Sequence, residues 1–269
     1  MATQLRGFLL LAALPFVIDL WRRFRIPDTA TPRIRSEILA PVIQFWDPSF
    51  RYEPHGSIAR EEFGASRLFE GDSWNRYHGE DLVSGRHGST AFRFSEIHVT
   101  QVTKRDKTSH TEIVFHGLFF AADFNKSFAG QTLLLPDRAE RRIGSLGRVF
   151  QSVGGGAGLE LVELEDPDFE RAFLVRSTDP TEARYLLSPS LMRRILAFHD
   201  NTGAQLRLSF TGGTLYLAVP LGSDLFAVPG DGKIEIAQIR AWIGELLFAT
   251  GIIDDLDLDT RIWSKAPAA

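Results

Sequence analysis

The residues best equipped for proton or metal chemistry are seven histidines, His55, His78, His87, His98, His110, His116 and His199, set among many carboxylates. His78-Gly79-Glu80 has the H-x-E spacing of zinc deaminases, where a glutamate shuttles protons beside the metal, but that centre also needs cysteine ligands and the chain has no cysteine. Glu80-Asp81 offers two carboxylates for acid/base work, yet neighbours on a strand point to opposite faces, so the pair reads as a turn. His116 interrupts an apolar run, where a histidine is expected to be a hydrogen-bonded packing residue or a solvent-facing one rather than a catalyst. Asp255, Asp257 and Asp259 imitate the start of a calcium loop. However, Thr260 stands where the tight turn needs glycine and Ala266 where a bidentate glutamate belongs, and the alternation with Leu256 and Leu258 is that of an exposed strand.

The remaining motifs are negative for definite reasons. There is no GxSxG elbow and no HExxH. Gly232-Lys233 is followed by Ile234, with Ala227 in place of the first glycine of a phosphate loop. Gly154 to Gly158 leads into a strand, so no helix N-terminus awaits an anion. No catalytic, cofactor-binding or metal-ligating residue is assigned, and the balance is against an enzyme. A hydrolase or transferase site gathered from a carboxylate and a histidine distant in sequence stays as an alternative, because one sequence does not reveal spatial proximity.

The elements that would position such residues follow from composition and pattern. The 269 residues are 44% apolar and 24% charged, enough for a sizeable core, and 30 basic against 34 acidic side chains give no footprint for nucleic acid. The stretch Gly7 to Arg25 is the most apolar. Its uncharged run ends at Asp19, Pro15 weakens it as a helix, and Gly7 to Trp21 would reach only about 22 Å against a hydrocarbon core of about 30 Å. Arg22, Arg23 and Arg25 follow it, as a cytoplasmic stop would. The segment is therefore expected to be a short or interfacial membrane anchor formed by Phe8, Leu9, Leu10, Leu11, Leu14, Phe16, Val17, Ile18 and Trp21. Packing on the protein itself or on a partner, or removal as a signal peptide, are the rival readings.

Residues 1–30 thus read as anchor and linker, 31–265 as the main domain and 266–269 as a tail. Within the domain, Ile34 to Trp46 reads as an amphipathic helix broken at Pro41, and Ile58 to Phe69 as a second helix. From Tyr77 the apolar period shortens to two residues. Ala91 to Val102 and Thr111 to Phe124 are expected to be antiparallel strands around a charged turn at Lys104 to Lys107. Arg138 to Phe150 reads as a helix and Leu159 to Leu164 as a strand. Asp179-Pro180 and Ser188-Pro189 mark two helix starts. Gln205 to Phe210 and Thr214 to Val219 flank Gly212-Gly213, a hairpin signal, and Ile234 to Phe248 closes the domain as a helix. The fold class expected is α+β, a mainly antiparallel sheet with flanking helices, preceded by a short hydrophobic N-terminal helix.

The blocks IQFWDPSFRYEPHGSI, YHGEDLVSGRHGSTAFRFSEIH, VFHGLFFAADFNKSFAGQTLLLPD, LEDPDFERAFLVRSTDPTEARYLLSPSLMRRIL, LSFTGGTLYLAVP and LDLDTRIWSK together resemble, in order and spacing, the bacterial family of domain of unknown function 3137, from about Ile34 to Lys265. The resemblance implies a domain that follows hydrophobic, membrane-spanning segments, and it brings no activity, cofactor or catalytic residue. Two departures stand out: the hydrophobic part is shorter than usual, and His116 occupies a slot where similar proteins usually carry lysine. The expectation is a membrane-associated binding or scaffolding module at the bacterial inner membrane, main domain facing the cytoplasm, with a cytoplasmic location as the alternative. Its partners would be the membrane, through the N-terminal segment, and a protein of unknown identity. A second alternative is a carrier of small apolar ligands whose cavity is lined by Phe115, Phe119, Phe120, Phe124 and Phe128.

Overall fold

In the computed structural model, residues 31–105, 108–124, 128–136, 158–230 and 232–259 are described. The anchor residues Phe8 to Trp21, the helix read at Arg138 to Phe150 and most of the glycine stretch after it lie outside them. Helix α1 runs continuously through Thr31–Ile34, a π-helical turn Arg35–Leu39 and Ala40–Trp46. Pro41 does not break it. The extra residue of the π turn lets the Ala40 N–H reach the Arg35 carbonyl, and the proline then sits in the opening turn of the segment that follows, where its missing donor costs little.

Among the described residues nine strands form one sheet, ordered β1-β2-β3-β4-β9-β8-β5-β7-β6, with every pairing antiparallel. They are β1 (Arg51–Glu53), β2 (Arg76–His87), β3 (Thr90–Arg105), β4 (Thr108–Asp123), β5 (Gln131–Pro136), β6 (Glu160–Leu161), β7 (Phe173–Ser177), β8 (Arg207–Thr211) and β9 (Thr214–Pro220). The expected β3–β4 meander is present, and Gly212 and Gly213 both take positive φ in the β8–β9 turn, the conformation that a two-residue hairpin of this kind requires. Helix α2 (Arg60–Ala65) is shorter than Ile58 to Phe69, and the strand read from Leu159 to Leu164 is only Glu160–Leu161. Helices α3 (Pro167–Ala172), α4 (Pro180–Leu186) and α5 (Pro189–Thr202) start where Asp166, Asp179 and Ser188 accept backbone N–H bonds, each with proline in the first turn.

Helix α6 spans Ile236–Asp255, seven residues beyond the end expected at Phe248, so Asp255 closes a helix. Asp257 has φ 57° in the turn after it, and the alternating aspartates and leucines are therefore not a strand. Instead Asp254 meets His87, Asp257 meets Arg194 and Asp259 accepts from Ser89, fastening the helix end to β2, α5 and the β2–β3 turn. Helix α6 is long and apolar enough to cross a bilayer. Its Trp242, Leu246, Ala249, Ile252 and Ile253 are nevertheless buried in the core, the placement of a helix that belongs to the domain.

Each face of the sheet has its own core. Phe92, Phe94, Leu118, Phe120, Leu208, Phe210 and Leu217 pack under α1, α5 and α6, while Ile97, Val99, Phe115, Phe119 and Ala218 pack with Phe63, Leu68 and Phe69 of the α2 region. Successive residues of β4 face opposite ways. Phe115 and Phe119 therefore belong to one core and Phe120 and Phe128 to the other, with Phe124 packed at the edge of the latter. These phenylalanines share no common lining, so the cavity expected of an apolar carrier does not form from them. Gly117 has no room for a side chain against β9: a Cβ there would sit 2.2 Å from the Val219 carbonyl oxygen.

Candidate functional site

Beneath α1 the apolar rows of the sheet give way to polar ones. Val83, Phe94 and Phe120 form one cross-strand row; Glu80, Glu96 and Leu118 form the next; His78, His98 and His116 form the third. All stand on the same face: the period of two returns alternate residues of β3 and β4 to it, and in β2 the slip between Glu80 and Val83 brings Val83 back to it.

Arg35 enters this surface from the π turn of α1, on the same side as Leu39 and Ile43, and is only 7% exposed. Its Nη1 lies 2.7 Å from Glu80 Oε2, its Nη2 3.1 Å from Glu80 Oε1, and Nη2 is also 3.0 Å from Asp81 Oδ2. Tyr52 of β1 donates to Asp81 Oδ1. Adjacent carboxylates reach one guanidinium because the register of β2 slips between Glu80 and Val83 and Asp81 takes φ 60°. The turn expected at Glu80-Asp81 is thus a β-bulge inside β2, and it cancels the alternation that would have sent the two side chains apart. Aspartate tolerates this left-handed conformation better than most residues. The Asp81 and Leu82 N–H groups donate to the Pro54 and Gly56 carbonyls, so the strained backbone is tied down.

A second group adjoins the first. Glu96 Oε1 is 2.7 Å from His116 Nε2, and Glu96 Oε2 accepts the Leu225 N–H at 2.6 Å. Asp224 Oδ1 lies 3.4 Å from the same His116 nitrogen. Glu245 of α6 accepts the Phe226 N–H, and Trp242 and Gln238 both donate to the Ala227 carbonyl. The segment after β9 is therefore gripped by the sheet on one side and α6 on the other, and Phe226 takes φ 50° between them.

The electrostatics follow from this burial. Asp81 has no exposed surface, and desolvation pushes its carboxyl up to about 7, against the pull of Arg35 and Tyr52. Burial works against the Arg35 charge too, but the hydrogen bond to Glu80 and the attraction of Asp81 and Glu80 outweigh it, so the guanidinium is held more firmly than usual. The two partners lean in opposite senses because one cation serves two carboxylates, and the Arg35–Asp81 approach lacks hydrogen-bond geometry. Tyr52 is raised by burial and then by Asp81. Glu96 and Glu245 are raised chiefly by burial, and His98 is lowered by burial and then by the neighbouring His116 and His78.

The Arg35, Glu80, Asp81 and Tyr52 set joins α1 to the sheet, with Arg35 and Asp81 buried and Glu80 at its partly exposed edge. The Glu96, His116 and Asp224 set opens to solvent at Asp224, which is 68% exposed. Open clefts lie elsewhere among the described residues: one of about 470 Å³ is bounded by Asp168, Arg171, His199 and Asp200, and others lie around Phe248 and around Arg93. His116 is hydrogen-bonded, as expected of it. Arg35, Tyr52, Glu96, Asp224 and Glu245 are not singled out by motif. The usable signal is a charge on an apolar face: Glu96 two residues beyond Phe94, and Arg35 four before Leu39.

The sequence pattern of the family described as protein of unknown function, DUF3137, matches residues 113–258, more than half of the chain, from β4 through α6. Arg35, Tyr52, Glu80, Asp81 and Glu96 precede that stretch. No curated protein matches. Among solved structures, the chain is similar to the crystal structure of the mycobacterial trehalose monomycolate transport factor A, TtfA, at 15% identity and a TM-score of 0.37, over 81% of this chain and 93% of that one.

Proposed function

The chain belongs to the DUF3137 family, whose description assigns no activity, and from that premise we propose that it is a membrane-tethered binding module. One observation supports this reading most. Helix α1, described from Thr31 onward, follows the apolar segment, its arginines and a short linker in the sequence, and is fastened to the sheet through the buried Arg35. A short linker that leads into a helix fixed on the sheet holds the whole domain close to the membrane. At the other end of α1, Phe45 is 92% exposed and Trp46 45% exposed, the kind of aromatic surface that protein contacts use. The arginine excess after the apolar run favours the inner membrane with the domain in the cytoplasm.

Fractionation of the full chain in its own host tests the tether. The wild type is expected in the membrane fraction at low salt. A Leu10→Asp, Leu14→Asp variant is expected in the soluble one, because each carboxylate placed in the hydrocarbon costs about 3 kcal/mol. Recovery of the wild type in the soluble fraction at low salt overturns the proposal.

A further inference from the structure

We propose that Glu96, His116 and Asp224 form a binding site for a divalent transition-metal ion of the zinc class. Their potential ligand atoms all lie within 4.8 Å of one another. They come from three places in the chain, β3, β4 and the segment after β9, so the fold itself brings them together. His116 Nε2 points at both carboxylates, 2.7 Å from Glu96 Oε1 and 3.4 Å from Asp224 Oδ1. Ligand atoms bound at roughly 2.1 Å in a tetrahedron stand about that second distance apart, so the His116–Asp224 spacing already fits and the shorter His116–Glu96 contact has to widen.

Three further observations favour a cation. Glu96 is oriented from behind by the Leu225 N–H on its other oxygen, the outer support that metal-binding carboxylates use. Next to His116, at 5.0 Å between ring centres, stands His98, whose Nε2 is buried without a hydrogen-bond partner. One imidazole also faces two carboxylates here, with the Glu245 carboxylate on the far side of the same segment, so negative charge exceeds the charge His116 can return. An imidazole with two carboxylates selects zinc, manganese or iron over calcium or magnesium, which take all-oxygen sets. The exposed Asp224 leaves the remaining coordination positions to water or to an incoming ligand. The site shares no residue with the Arg35, Glu80 and Asp81 set that fastens α1, although Glu96 lies next to it, and metal binding and membrane recovery are read by different experiments, so either proposal can fail alone.

The test is titration of the full chain, purified in mild detergent and stripped of metal, with Zn²⁺ by calorimetry and with Co²⁺ by visible absorption. One ion per chain is expected, with the Co²⁺ bands of nitrogen and oxygen ligation. Asp224→Asn changes an exposed side chain and keeps the fold, and it should weaken binding at least about tenfold. His116→Gln should abolish the Co²⁺ bands, while His199→Gln, in the distant cleft, should leave them unchanged. Absence of saturable binding, or binding unchanged by both Asp224→Asn and His116→Gln, overturns the proposal.

Discussion

Replacing Arg35 with methionine is expected to destabilise the domain by about 3–5 kcal/mol near pH 8, the usual cost of removing one partner from a buried ionic set. Methionine fills much of the same volume, so the loss arises from charge and not from a cavity. Glu80 and Asp81 are left facing one another without a cation, and Asp81 has no access to water. The cost should shrink at acidic pH, where Asp81 accepts a proton. Replacing the whole set, Arg35→Met with Glu80→Gln and Asp81→Asn, should recover most of the stability, since no uncompensated charge then remains buried. Urea denaturation monitored by tryptophan fluorescence measures each variant. A loss below about 1 kcal/mol for Arg35→Met would show that Arg35 is not the fastening of α1.

The second large effect is the pH dependence carried by Asp81. Its carboxyl is raised to about 7 in the fold by burial, against 3.8 for the unperturbed group. Between those values the folded chain holds a proton that the unfolded chain has released, so stability falls as pH rises. The contribution is fully present below pH 4 and is lost as pH passes through about 7, with a span on the order of 4 kcal/mol. Asp81→Asn removes the titration and keeps the shape, and asparagine also tolerates the left-handed backbone at this bulge. The stability difference between wild type and Asp81→Asn, measured from pH 4.5 to pH 8.5, should therefore move in favour of the variant as pH rises. Titrations of groups remote from Asp81 are common to both proteins and cancel. A difference that stays level across that range would contradict the buried, proton-holding Asp81.

Much of the fold was legible because local chemistry determines it. Asp179-Pro180 and Ser188-Pro189 start helices where they should, Gly212-Gly213 turns a hairpin, and the alternation from Ala91 to Val102 makes a strand. Elements governed by distant contacts were harder. Pro41 reads as a break, and only a π turn five residues long reconciles it with a continuous helix. Asp255 to Asp259 alternates like a strand, but the ion pairs of α6 with β2 and α5 hold it as a helix end and turn. The site was the least legible part. Glu80-Asp81 was visible as a pair, yet its use depends on a one-residue slip in β2 that no spacing rule announces, and on an arginine 45 residues earlier. Asp224 joins Glu96 and His116 only because the chain after β9 folds back across the sheet.

These contacts make α1 an integral layer of the domain and not an appendage, and the tethering account depends on it. Hydrogen exchange of the wild-type chain, resolved along α1, measures this most directly. The amides from Ile38 to Gln44, Pro41 apart, are expected to exchange as slowly as those in the paired centre of β3, opening only when the domain unfolds. Exchange of those α1 amides at the rate of unstructured chain, while β3 stays protected, would contradict the account.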